Sequence, residues 1–215
     1  MITMRRLGFI LLVIAVTAGG TLATWAQSDS DPVGKITRLQ GRAVAMQDAF
    51  PRPLKEGDAV LLGDVISTGK AARLEMTMID DAVMTLGEKT IFVVVDYLTS
   101  GDKPNATMRL LQGAFSAATG KMVQTASAKF TVNTDVATIG VRGTTFWGGK
   151  LDSGDFEVAL LDGKGVYVET KAGRVDITRV GDGTRIASSE AAPRAPVKWG
   201  AGKTARAVAT VTFDK

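Results

Sequence analysis

From Val33 onward, apolar and polar residues alternate in short runs. Leu74, Met76 and Met78 interleave with Arg73, Glu75 and Thr77, and Phe156, Val158 and Leu160 interleave with Asp155, Glu157 and Ala159. Phe130 and Val132 flank Thr131, Val166 and Val168 flank Tyr167, and Val175 and Ile177 flank Asp176. A period of two places one apolar row on one face of a half-buried strand. Ile91-Phe92-Val93-Val94-Val95 is a continuous β-branched and aromatic run, read as a strand buried on both faces. No 12-residue window after residue 26 shows convincing helical periodicity. Turn signals fall between the strands at short spacing: Glu56-Gly57-Asp58, Leu62-Gly63-Asp64, Thr68-Gly69-Lys70, Asp162-Gly163 and Gly181-Asp182-Gly183. Glycine supplies positive φ at tight turns, and aspartate bonds back to its own backbone. The chain therefore reads as all-β with many short strands, a sandwich, barrel or β-solenoid. Leu39-Gln40-Gly41, Leu111-Gln112-Gly113 and Leu161-Asp162-Gly163 repeat one strand-turn-strand device at irregular spacing.

Residues 1–26 read as a signal peptide. Arg5 and Arg6 are a positive n-region, Leu7 to Ala18 an apolar stretch, and Thr24 and Ala26 small residues suited to a signal peptidase. The rival reading is an uncleaved anchor, because Leu7 to Ala26 carries 20 residues without a charge. Either way, residues 27 onward lie outside the cytoplasm, in the periplasm or otherwise exported. Residues 27–33 read as an exposed N-terminal segment and residues 34–186 as the all-β domain. Residues 187–215 read as an Ala/Pro-rich linker and tail, with Val208 to Phe213 as a final edge strand.

Composition excludes several chemistries. The 215 residues contain no Cys and no His, so disulfides, thiolate nucleophiles, His-based zinc sites and Ser-His-Asp triads are ruled out. The net charge of +4 includes Arg5 and Arg6; without them the balance is 24 minus 22, or +2. That is too small and too scattered for a nucleic-acid face. Asp58, Asp64, Asp80 and Asp81 sit beside turns and read as turn-formers rather than catalytic pairs. Asp152, Asp155 and Asp162 do not have EF-hand spacing. The glycines at Gly140 and Gly143 lead into no Gly-Lys-Ser/Thr sequence, so they form no phosphate loop. The reading assigns no catalytic group, no cofactor and no metal.

The most distinctive segments are Gly63-Asp64-Val65-Ile66-Ser67-Thr68-Gly69 and Gly140-Val141-Arg142-Gly143-Thr144-Thr145-Phe146-Trp147. With Leu74 to Asp81 and Leu111-Gln112-Gly113 between them, they resemble the FecR domain family in order and spacing over about residues 34 to 170. The resemblance implies an extracytoplasmic all-β domain, described for relatives as β-solenoid-like. Full-length relatives are membrane-spanning regulators of iron-siderophore signalling. They carry a cytoplasmic anti-sigma segment and contact an outer-membrane transporter. Here only Met1 to Arg6 precede the apolar stretch, so the expected form is a stand-alone exported domain.

The early motif (Gly63, Asp64, Thr68, Gly69) is read as turn-forming, and the late one (Gly140, Val141, Arg142, Gly143, Thr144, Phe146, Trp147) as a binding or structural motif. Arg142 is expected to pin neighbouring turns through its five donors, with recognition of an acidic partner or anionic glycan as the alternative reading. Phe146 and Trp147 point to opposite faces, one into the core and the other exposed. The functional expectation is a non-enzymatic module that binds an envelope protein partner through a sheet edge or apolar patch. The alternative is an envelope polysaccharide binder using Trp147, Trp199 or Tyr167; a more distant one is iron-uptake signalling. Neither requires nucleic acid, and membrane contact would come only through a retained leader.

Overall fold

A computed structural model describes residues 31–141, 143–151 and 153–214. The leader and Arg142 lie outside the described residues. In chain order the strands are β1 (Pro32–Gln40), β2 (Ala43–Gln47), β3 (Phe50–Pro53), β4 (Ala59–Leu61), β5 (Val65–Thr68), β6 (Arg73–Met78), β7 (Val83–Leu86), β8 (Ile91–Leu98) and β9 (Asn105–Gln112). They continue as β10 (Phe115–Ala118), β11 (Lys129–Asn133), β12 (Thr138–Val141), β13 (Thr144–Lys150), β14 (Phe156–Gly163), β15 (Val166–Thr170), β16 (Gly173–Ile177), β17 (Asp182–Ile186) and β18 (Val197–Lys198). Helix α1 (Ala201–Ala209) follows.

Two open nine-stranded sheets result, without closure into a barrel. The first runs β4-β1-β6-β7-β10-β13-β14-β17-β18 and the second β3-β2-β5-β8-β9-β11-β12-β15-β16. Apart from β3 and β4 at the starting end, each sheet is crossed in chain order. Neighbours are antiparallel except β9 and β11, which run parallel. The inward rows of the two sheets meet: the Phe92 ring of the second lies 5.8 Å from that of Phe115 of the first. Phe115 in turn meets Phe146 edge-on at 5.4 Å. Leu74, Met76, Phe130, Val132, Val158, Leu160, Val168 and Ile177 are buried in the same core, as their alternation requires.

The Leu-x-Gly echo marks corners between sheets. Gly41 lies between β1 and β2, Gly113 between β9 and β10, and Gly163 at the end of β14 before β15. Their φ values are +74°, +94° and +98°, a region in which only glycine is unstrained.

Two expectations need correction. Ile91 to Val95 is buried on one face only: Phe92 and Val94 are fully enclosed, whereas Val95 is 46% exposed. Nothing among the described residues covers the outer face of the second sheet there. Val208 to Phe213 forms no strand; Val208 and Ala209 end helix α1, and the chain continues as turn and coil. This tail crosses the outer face of the first sheet. Thr210 accepts the Trp147 indole N–H (2.9 Å), the Arg38 guanidinium lies 4.2 Å from the Phe213 ring centre, and Gln40 Nε2 donates to Asp214 (2.6 Å). It straps the last strands back to β1. The cover also explains why Glu157 and Ala159, polar-side positions of β14, are buried.

Candidate functional site

The early motif closes the starting end of the sandwich. Asp64 is 1% exposed, and its Oδ2 accepts from Leu61 N–H (2.9 Å) and Arg52 Nη2 (2.7 Å). Arg52 Nη1 also donates to the Ala59 carbonyl (3.1 Å). These bonds occupy outward groups of β4, the terminal strand of the first sheet. Gly63 has φ +87° and donates its N–H to the Val94 carbonyl (2.8 Å).

Thr68 and Thr144 are buried bolts between corners. The Thr68 hydroxyl donates to the Gly87 carbonyl (2.6 Å) and accepts from Thr90 N–H (2.9 Å). Gly69 N–H donates to the Arg42 carbonyl (2.9 Å). The Thr90 hydroxyl repeats the device against Ala114, donating to its carbonyl (3.1 Å) and accepting its N–H (3.2 Å). At the other end of β10, the Thr144 hydroxyl donates to the Gly165 carbonyl (2.9 Å) and accepts its N–H (3.0 Å). Thr144 N–H donates to Thr119 Oγ1 (2.9 Å). The Thr68 and Thr144 hydroxyls each serve a buried donor and a buried acceptor, whereas the Ala114 carbonyl bonded by Thr90 also accepts the Gly87 N–H (2.8 Å).

The remaining late-motif residues divide between two faces. Val141 and Phe146 are core, and Gly143 turns the chain at φ +60°. Gly140 faces outward beneath the Tyr167 ring, which a Cβ would meet at 2.0 Å; the Arg174 guanidinium stacks on the same ring at 3.8 Å. Phe146 and Trp147 do point to opposite faces, but Trp147 is not exposed. It is fully buried under the C-terminal strap, 6.0 Å from Trp199, which is 6% exposed. An open aromatic groove using Trp147 and Trp199 is therefore absent among the described residues.

Acidic groups are occupied in architecture. Asp80 accepts from Ala82 N–H (3.1 Å), Met122 N–H (3.3 Å) and the buried Tyr97 hydroxyl. Burial, then the Asp80 carboxylate, pushes the Tyr97 phenol well above its usual range. Glu157 Oε1, 1% exposed with its residue, takes Lys203 Nζ (2.8 Å) and Arg185 Nε (3.2 Å) and so ties α1 to β14. A cleft of about 480 Å³ beside Thr210 is lined by Arg73, Glu88, Asp135 and Lys150. The Ala71 N–H holds the Glu88 carboxyl below the usual range, the wrong direction for a general acid at neutral pH. The described residues contain no metal-ligating cluster of three or more His, Cys, Asp or Glu.

The sheet edges differ. At β3, Leu54 N–H bonds to the Ala43 carbonyl (2.9 Å), so Arg52 and Phe50 face β2 while Pro51 and Pro53 face outward. Prolines there present no N–H. At β16, the two-residue loop Lys171-Ala172 makes Thr170 and Gly173 a directly bonded pair. By alternation, Arg174 and Asp176 turn their N–H and C=O groups away from β15, and no strand among the described residues lies beyond. A groove of about 350 Å³ lined by Tyr167, Arg174, Asp176 and Ile177 borders this edge. Sequence reading missed it because edge status belongs to topology. It also missed Thr90, whose surroundings carry no motif.

Residues 64–164 match the model of the family described as FecR protein, within the span that the sequence motifs marked. No curated protein matches the chain. Two crystal structures of a "putative anti-sigma factor" from Parabacteroides distasonis, at 2.50 and 1.65 Å resolution, are similar in fold. Each has a TM-score of 0.52 and 16% identity, with 65% of this chain and 61% of that chain covered. The chain thus spans about three fifths of those proteins.

Proposed function

We propose that the chain is a non-enzymatic periplasmic interaction module, whose partner is an envelope signalling or assembly protein that adds a strand at β16, just beyond the segment that matches the FecR model. The observation that carries this reading is the unequal treatment of the edges: β3 is blocked by Pro51 and Pro53, β4 is sealed by Arg52 and Asp64, and β16 is left open. An open edge gives an extended peptide its backbone partners, and the flanking groove takes alternate side chains. The FecR match supports a regulatory interaction role. The absence of Cys and His and the engagement of Asp64, Asp80 and Glu157 in structural bonds support a role without catalysis.

The test is photo-crosslinking in intact cells, with a photoreactive residue at position 174. Asp176→Pro removes an outward N–H but leaves the ladder to β15 intact. A discrete protein adduct from position 174 that disappears in the Asp176→Pro variant is expected. Adducts that persist undiminished in that variant would overturn strand addition at this edge.

A further inference from the structure

The β16 edge carries a charge pattern that complements itself. On its outer face, Arg174 and Asp176 flank the inward, half-buried Val175. Arg174 Nη2 holds Asp176 Oδ1 at 2.7 Å, with both side chains open to solvent. The N–H and C=O groups of residues 174 and 176 face away from β15, whereas Val175, opposite Val168, bonds back to it.

A second copy of this strand can lie antiparallel along the edge, centred on any of these residues. Centred on Arg174 it sets arginine against arginine, and centred on Asp176 it sets aspartate against aspartate. Centred on Val175 it sets each Arg174 opposite the second copy's Asp176, both on the outer face. Directly opposed like charges destabilise an antiparallel pair and opposite charges stabilise it, so charge selects the register centred on Val175. Both Arg174–Asp176 pairs then exchange their outward N–H and C=O groups, and the two Val175 residues meet on the two-fold axis as a non-hydrogen-bonded pair. Glu169 lies opposite Arg174 on β15, so charge sign continues to alternate across the joined sheets. The segment after β17 passes beneath the hairpin tip rather than along the edge: a Cβ on Gly173, an inward position, would meet the Ala192 Cβ at 3.3 Å. At the same end of the first sheet, Val180 and Val197 are exposed, apolar surface that a neighbouring copy can cover.

From this self-complementarity we infer, resting on the strand-accepting reading of β16, that β16 pairs with β16 of a second copy until the envelope partner takes its place. The two-fold pair is closed, so it leaves neither β16 edge free for further growth. The contact is two five-residue strands and solvent-exposed ion pairs, which contribute little each, so a longer peptide can displace it. Self-pairing thus guards the edge, and strand addition requires the copies to part.

The chain has no cysteine, so Val175→Cys in the full chain supplies a single thiol on the axis. Non-hydrogen-bonded antiparallel residues have Cα atoms about 4.5 Å apart, within disulfide reach. The expected result, after oxidation of intact cells, is a disulfide-linked dimer at twice the chain mass. Glu169→Cys, exposed on β15 and at least about 14 Å from its counterpart across three strand spacings, should stay monomeric. Adding Arg174→Asp to Val175→Cys turns two opposite-charge pairs into like-charge pairs and should cut the dimer roughly tenfold. Adding Asp176→Arg as well should restore it, which a merely misfolded variant would not do. Val175→Cys no more dimeric than Glu169→Cys, or a dimer yield indifferent to these charge changes, would overturn the inference. A heterologous adduct at position 174 with no disulfide dimer would overturn self-pairing alone. A charge-dependent dimer with no heterologous adduct would support self-pairing and overturn the envelope partner.

Discussion

Replacing Thr68 by valine tests the threonine bolts at almost constant shape. The Thr68 hydroxyl donates to the Gly87 carbonyl at 2.6 Å and accepts from Thr90 N–H at 2.9 Å. Thr68 is 4% exposed and Thr90 fully buried, so water cannot readily substitute. A valine methyl fills the same space and leaves a buried donor and a buried acceptor unmet. At about 1–3 kcal/mol for each unmet group, with partial relaxation, the expected loss is about 2–4 kcal/mol. Thr68→Ser keeps both bonds and removes one methyl, a loss of about 1 kcal/mol. The assay is equilibrium urea unfolding followed by tryptophan fluorescence. With a slope of roughly 2 kcal/mol per molar urea, Thr68→Val should lower the midpoint by about 1–2 M and Thr68→Ser by about half a molar. The slope itself should not change. A valine variant as stable as the serine variant would show that the hydroxyl's bonds contribute nothing net, and the bolt argument would fail.

Two further perturbations follow from the same packing. Because the Tyr97 phenol is raised in the folded state, its contribution is complete below the unfolded value near pH 10. Above that pH the unfolded state ionises while the folded state does not, so stability should fall by about 1.4 kcal/mol per pH unit. Urea midpoints between pH 9 and 11 should show this slope in the native sequence and lose it in Tyr97→Phe; equal slopes would refute it. Ending the chain after Gly200 removes the strap that buries Trp147 and supplies Thr210. Re-exposing roughly 100 Å² of indole and losing one hydrogen bond predicts a loss of about 2–4 kcal/mol. A red shift of tryptophan emission should accompany it, and unchanged emission would mean that the strap does not shield Trp147.

Much of the fold was legible because alternation is a local property. Leu74, Met76 and Met78 had to share a face, and they do. The three Leu-x-Gly sites were legible as turns because their glycines occupy a backbone region other residues avoid. Burial on the second face of a strand was not legible, because it depends on what another part of the chain covers. Ile91 to Val95 and Phe156 to Leu160 are both apolar-rich. Only the latter lies under the C-terminal strap, which encloses Glu157 and Ala159. Trp147 was misjudged for the same reason: its strand phase was right, and its cover came from residues 199–211. Helix α1 escaped detection because its nine residues are shorter than the window that periodicity needs. Pro51 and Pro53 did carry a readable signal, since proline in a strand run points to an edge.

The cover is uneven, and that bears on where partners can bind. The strap runs from β17 and β18 to β1 across the outer face of the first sheet, with Asp214 bonded to Gln40 at its far end. No comparable segment crosses the second sheet among the described residues. The exposed Met46 and Val95 and the Tyr167–Arg174 stack all lie on that uncovered face. Along it, the strand order from β3 to β16 makes eight spacings, about 38 Å at roughly 4.8 Å each. The strap ties the first and last strands of the neighbouring sheet and so resists changes in that length. The blocked β3 edge and the strand-accepting β16 edge would then be held at a fixed separation. A partner captured at Arg174 and Asp176 would stand roughly 40 Å along the sheet from the β3 edge, on the same face as Met46 and Val95.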